Sequence, residues 1–169
     1  MWQTIASTIA NEFSDIADLE TITRISVRLL VAAILGGIIG YERELKSRNA
    51  GIRTHMLVCI GTAMFVIGPT QAGMPIEDMS RILQGIVQGI GFLGAGAIVI
   101  GASRQQITGL TTAAGVWATA GIGIAVGLGL EATAVLATLF VLITLGAVPL
   151  FQRQPNDTSA DATIDENQL

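Results

Sequence analysis

Apolar residues run through this chain in long blocks, and the polar positions collect in a few short segments between them and at the two ends. The blocks fall at about Ile22–Gly40, Thr54–Gly68, Ile82–Gly101, Leu110–Leu130 and Ala132–Phe151. A bilayer core of about 30 Å takes roughly 20 predominantly apolar residues at the helical rise of about 1.5 Å, so each block predicts a membrane-spanning helix. The second is short. Its fourteen residues from His55 to Gly68 precede Pro69 and cover only about 21 Å as helix. That length predicts either a locally thinned bilayer or Arg53, Thr54 and His55 drawn to headgroup depth. Gly51, just before this block, is placed to break the preceding helix.

The expected architecture is therefore all-α, an integral membrane bundle of five transmembrane helices over residues 21–151. Two different segments flank it. Residues 1–20 place Trp2, Ile5, Ile9, Phe13 and Ile16 at helical spacing beside an acidic face, the pattern of an interfacial amphipathic helix anchored by Trp2. They lack the basic start and small-residue cleavage site of a secretory signal. Residues 152–169, QRQPNDTSADATIDENQL, offer almost nothing to bury and predict an acidic, disordered tail.

Composition agrees with the pattern: 51% of residues are hydrophobic and 13% charged, with a mean hydropathy of +0.63, which excludes an ordinary soluble domain. The net charge of -4 changes little, because the acids gather at the two ends. The cations decide orientation, since Lys and Arg in short loops stay on the cytoplasmic side. With five spans, Arg43, Lys46, Arg48, Arg53, Arg104 and Arg153 share one side; Arg24, Arg28 and Arg81 lie opposite among most of the acids. The N-terminus is thus expected outside and the C-terminus in the cytoplasm.

Catalytic chemistry has little to build on. The single Cys59 excludes an intramolecular disulfide, and no Cys/His cluster offers a zinc site. His55 and Cys59 are four residues apart on one helical face but lack a third, orienting group. GIGFLGAG lacks the Lys-Ser/Thr ending of a phosphate-binding loop and lies in an apolar block. No enzyme, no cofactor and no nucleic-acid partner is expected.

Glycine is the second informative feature. Gly36, Gly40, Gly85, Gly89, Gly91, Gly94 and Gly96 lie inside the blocks, with four-residue spacing in Gly36/Gly40 and Gly85/Gly89. Such faces let helix backbones approach closely, within one bundle or between two copies in a homodimer. A second reading makes QGIGFLGAG a helix break whose free backbone groups line a site. Polar residues at membrane depth carry the same two readings. Gln84 and Gln88 share one face of the third block, and Thr111 and Thr112 begin the fourth; they serve as hydrogen-bonding glue between helices or as oxygen contacts on a wet path. Arg28 sits several residues inside the first block with no adjacent acid, so it must snorkel or find a partner.

The segment GYERELKSRNAGIRTHM, Gly40–Met56, holds the only His and four of the nine cations. Glu42 with Lys46, and Glu44 with Arg48, are four apart and able to pair along a helix. The segment is either a solvated helix end or, through Glu42, Arg43, Glu44, Arg53, Thr54 and His55, a charge cluster that locks two helices together or is read by a partner.

Arg28-Leu-Leu followed by GGIIGYERE, then AGIRTH at Ala50–His55, GIGFLGAGAIV at Gly89–Val99 and GLTTAAGVW at Gly109–Trp117 together resemble the membrane domain of the MgtC/SapB family, from about Arg28 to Phe151. The resemblance implies a multi-pass bacterial inner-membrane protein with five spans, tied to growth under low magnesium, to stress adaptation and, in pathogens, to survival inside macrophages. It further implies a non-catalytic regulator that contacts other membrane machinery such as the F-type ATP synthase. The alternative is a small transporter or channel for Mg²⁺ or another cation, with Mg²⁺ as ligand or cargo. Magnesium favours hard oxygen ligands, and no carboxylate lies in the middle of any block. Two departures stand out. The best-known members continue into a small soluble domain where this chain has its acidic tail, and some carry Asn at the position of Thr111.

Overall fold

A computed structural model describes residues 1–14, 18–100 and 107–151 of the chain. Ile16, Arg104, Arg153 and the tail expected over 152–169 lie outside the described residues. Among the described residues six α-helices form the body: α1 (Trp2–Glu12), α2 (Leu19–Leu45), α3 (Ile52–Gln71), α4 (Met79–Ala97), α5 (Leu110–Gly127) and α6 (Glu131–Phe151). A 3-10 turn at Ile76–Asp78 leads into α4, and a small antiparallel ribbon, β1 (Val99–Ile100) with β2 (Ile107–Thr108), joins α4 to α5.

Among the described residues, α2, α3 and α5 are long and apolar enough by themselves to cross a bilayer. In α6 the apolar stretch over Glu131–Gly146 is shorter, and α4 carries Arg81, Gln84 and Gln88 in its first ten residues. The short second span is corrected: α3 begins at Ile52 and runs through Pro69 to Gln71, 20 residues in all. Proline breaks a helix by withholding one N–H and crowding the carbonyl four residues back. Here only Thr70 and Gln71 follow it, so the helix closes without needing more. The helix-break reading of QGIGFLGAG is also corrected, because α4 is continuous from Met79 to Ala97 and ends only at Ile98, whose backbone is extended.

The helix ends are set by local chemistry. Asp18 accepts the backbone N–H of Thr21 at 2.6 Å and its hydroxyl at 3.2 Å, capping α2. That backbone hydrogen bond, ahead of the hydroxyl, lowers the carboxyl's pKa below 3.8. Its stabilising contribution is therefore complete above the ordinary carboxylate range and disappears as pH falls through the lowered value. Three helices end in the same paired hydrogen bonds around a left-handed residue. Gly73 (φ 77°) closes α3 and Gly129 (φ 79°) closes α5, whereas α2 uses Ser47 at φ 51°. There the Ser47 N–H donates to Glu44 O at 2.9 Å and the Arg48 N–H to Arg43 O at 3.1 Å. A side chain in this conformation costs about 1 kcal/mol or more, so Ser47→Gly is expected to raise thermal stability in detergent by up to about 1 kcal/mol. An unchanged or lowered melting temperature would show that the serine hydroxyl contributes more than the strain removes.

α5 is central. One apolar cluster, including Leu35, Ile39, Cys59, Ala63, Ile122 and Val126, joins α2, α3, α5 and α6. A second, including Val58, Val66, Ile86, Ile90, Val116 and Ala120, joins α3, α4 and α5. Glycines make α5 thin enough for this: a Cβ at Gly123 would collide with Thr62 Oγ1 and Cys59 O, and one at Gly127 would lie 2.8 Å from Ala63 O. The buried hydroxyls are satisfied locally, with Thr62 donating to Val58 O at 2.9 Å and Thr119 to Gly115 O at 2.8 Å. Leu30, Ile34, Ile38 and Tyr41 form an exposed apolar stripe on α2, the kind of surface that lipid covers. Nothing in α1 is buried; its Trp2, Ile5, Ile9 and Phe13 are exposed.

Candidate functional site: a buried polar cluster at one end of the bundle

The end of α2 and the start of α3 are drawn together by missing side chains. A Cβ at Gly36 would lie 2.6 Å from His55 O, and one at Gly40 would lie 2.5 Å from the Ile52 Cα. The Gly36/Gly40 face is thus occupied inside one chain, against the first turn of α3. This close approach buries the charged residues that follow. Arg43 is 2% exposed although it is an arginine on a terminal turn. Its Nε donates to Glu42 Oε2 at 2.5 Å, and the other carboxylate oxygen pairs with Lys46 Nζ at 2.7 Å.

Lys46 reaches further. Its Nζ also donates to Leu145 O in α6 at 2.9 Å. In a regular helix that carbonyl would accept the N–H four residues on, but residue 149 is proline and has none. The ammonium therefore fills the gap that Pro149 leaves and ties α2 to α6.

Glu44 turns away from Arg48, its expected helical partner, because α2 stops at Leu45. Its Oε2 instead accepts the Ile52 N–H at 3.1 Å, satisfying a free donor at the start of α3. Gly51 lets the carboxylate in, since a Cβ there would lie 2.6 Å from Oε2. Gly51 O in turn accepts two hydrogen bonds from His55, one from its backbone N–H at 3.2 Å and one from ring Nδ1 at 3.0 Å. A carbonyl only accepts, so Nδ1 carries the proton. His55 is wholly buried, and its Nε2, with no hydrogen-bond partner, lies across from Gly115 of α5.

The structure thus brings Glu42, Arg43, Glu44 and His55 together and adds Lys46, Gly51 and the Leu145 carbonyl. Arg53 and Thr54 stand exposed on the adjoining first turn of α3. Arg28 lies at the opposite end of α2, where Nη1 donates to Gly127 O at 3.0 Å and Nε sits 3.7 Å from Glu131 Oε1. Gln84, Gln88 and Thr111 are exposed while Thr112 is buried, so these four do not converge. Gly94 meets Ala113 at ordinary contact distance, whereas Gly85, Gly89, Gly91 and Gly96 have open space where a Cβ would go. Gly109, the first residue of GLTTAAG, has φ 92° and its missing Cβ would strike Ala97 O. It lets the ribbon return the chain from α4 into α5. Among the described residues no group of acidic, His and Cys side chains is arranged to hold a metal ion.

The sequence profile of the MgtC family matches residues 29–154. SrpB of Synechococcus elongatus is 41% identical over 140 residues, which cover 76% of this chain and 77% of SrpB. YhiD of Escherichia coli (strain K12), whose name carries a provisional assignment as a magnesium transporter, is 42% identical over 100 residues, 55% of this chain and 46% of YhiD. MgtC of Salmonella typhimurium (strain LT2) is 42% identical over 116 residues, 69% of this chain and 48% of MgtC. The matched part is therefore about half the length of the latter two. No solved structure matches the chain.

Proposed function

Because the chain belongs to the MgtC family, a family of membrane proteins with a magnesium link, we propose that it is a non-catalytic regulator of membrane machinery in a bacterial inner membrane, acting under magnesium limitation or stress. In this reading α2 to α6 are five spans, with the Glu42–His55 end in the cytoplasm and the Arg28 end outside. Cation placement supports the orientation: Arg43, Lys46, Arg48 and Arg53 share one end. Arg28 and Lys46 tie α2 to neighbouring helices at two levels, 18 residues apart by number and about 27 Å at helical rise. That separation suits a hydrocarbon core of about 30 Å.

The observation that carries the regulatory reading is the fate of the polar side chains. Those that a transport path would use, Gln84, Gln88, Thr111 and Thr112, are dispersed, while Glu42, Arg43 and Lys46 are consumed in holding helices together. The exposed first turn of α3, with Arg53 and Thr54, is available at that end as a surface for a partner such as the F-type ATP synthase. A homodimer fits the open face of α4, where Gly85 and Gly89 admit close approach.

The reading is tested with purified protein in liposomes loaded with a Mg²⁺-sensitive dye, beside growth of a deletion strain at low magnesium. No influx above empty liposomes is expected, together with lost growth rescue by Arg53→Ala at an unchanged melting temperature. Saturable influx that Thr112→Ala abolishes would replace the regulator by a transporter.

A further inference from the structure

Arg28 is not used by the cluster at the other end, and its surroundings form a site of their own. A cleft of about 330 Å³ opens between the start of α2 and the last turn of α3, with Thr21, Arg24, Arg28, Thr70 and Gln71 as its polar lining. Among the described residues no carboxylate lines it. The guanidinium of Arg28 is held in place by Gly127 O and passes where a Cβ at Gly129 would stand. Its buried Nε has no hydrogen-bond partner, since Glu131 lies at ion-pair distance only. Arg24 pairs with Glu20, but both are more than half exposed, and such pairs exchange readily.

The donor inventory narrows the ligand. The hydroxyls of Thr21 and Thr70 already donate to Asp18 and Val66 O, so Arg24, Arg28 and the Gln71 amide are the groups left to donate. Two forked guanidiniums and an amide match the oxygens of a phosphate group. We propose that this cleft binds a phosphate group, presented by a phospholipid headgroup or by a soluble phosphate ester. Two features favour the lipid. Ile25 and Ile67 complete the wall, giving apolar contact beside the cations, as a headgroup and its glycerol require. Arg28 is nine residues into α2, about 13 Å along the helix, a depth that a snorkelling guanidinium and a lipid phosphate share. Asp18, Glu20 and Glu131 on the rim disfavour a free, highly charged anion.

The test is native mass spectrometry of the detergent-purified full chain, titrated separately with short-chain phosphatidylglycerol, short-chain phosphatidylethanolamine, the matching diacylglycerol and inorganic phosphate. Phospholipid adducts are expected without diacylglycerol adducts, and Arg24→Gln or Gln71→Leu should weaken them roughly tenfold. Arg81→Gln, outside the cleft, should leave them unchanged. These two variants carry the test if Arg28→Gln fails to fold. Displacement of the lipid by inorganic phosphate at equal concentration would assign the site to a soluble phosphate. Wild-type adducts in Arg24→Gln and Gln71→Leu, equal binding of diacylglycerol, or equal loss in Arg81→Gln would overturn the proposal.

Discussion

Glu42→Ala is expected to lower stability by about 3 kcal/mol. Removing one partner of a buried ion pair leaves the other desolvated and unpaired, at about 3–5 kcal/mol; the lower end applies because Glu42 keeps 19% of its side chain exposed. Arg43 is the residue stranded, at 2% exposure. Thermal unfolding in detergent reads the effect. The paired change Glu42→Leu with Arg43→Met removes both charges at similar volume and is expected to recover most of the loss. If the single variant melts like the wild type, Arg43 has another counter-charge and Glu42 is free to act on a partner.

Substituting glycines by alanine should separate them into two sets of opposite sign. Gly40→Ala, Gly123→Ala and Gly127→Ala press a methyl group against backbone atoms of α3, which cannot rotate aside, and should each destabilise by about 1–3 kcal/mol. Gly85→Ala and Gly89→Ala meet nothing within 4 Å and should stabilise α4 by about 0.5–1 kcal/mol through backbone entropy. Light scattering adds the second readout: if α4 forms the dimer face, Gly85→Leu with Gly89→Leu converts dimer to monomer. A dimer that survives those leucines places its contact elsewhere.

Several features were legible in the sequence for physical reasons. Apolar blocks located the helices, because burial in lipid dictates composition over a whole turn-by-turn length. The pairing of Glu42 with Lys46 is legible from spacing alone, whereas for Arg28 spacing leaves open whether it snorkels or finds a partner. What spacing could not supply was the far side of each contact. Glu131 lies 103 positions from Arg28 in numbering and meets it only because α2, α5 and α6 converge. Spacing alone lets Glu44 pair with Arg48, but Glu44 turns to Ile52 because Ser47 reverses the chain first. Pro69 marks a stop in the sequence, yet the helix has only two residues left to complete. One missed signal was present throughout: Pro149 announces an orphan carbonyl at Leu145, and a cation to fill it could have been sought.

That cation is also the only lysine in the chain, and its amine is held between Glu42 and Leu145 O. Amine-directed labelling of this protein therefore has one side-chain address, and it lies at the contact between α2 and α6. A single attachment point beside the junction of two helices is built into the native sequence, with no cysteine to introduce.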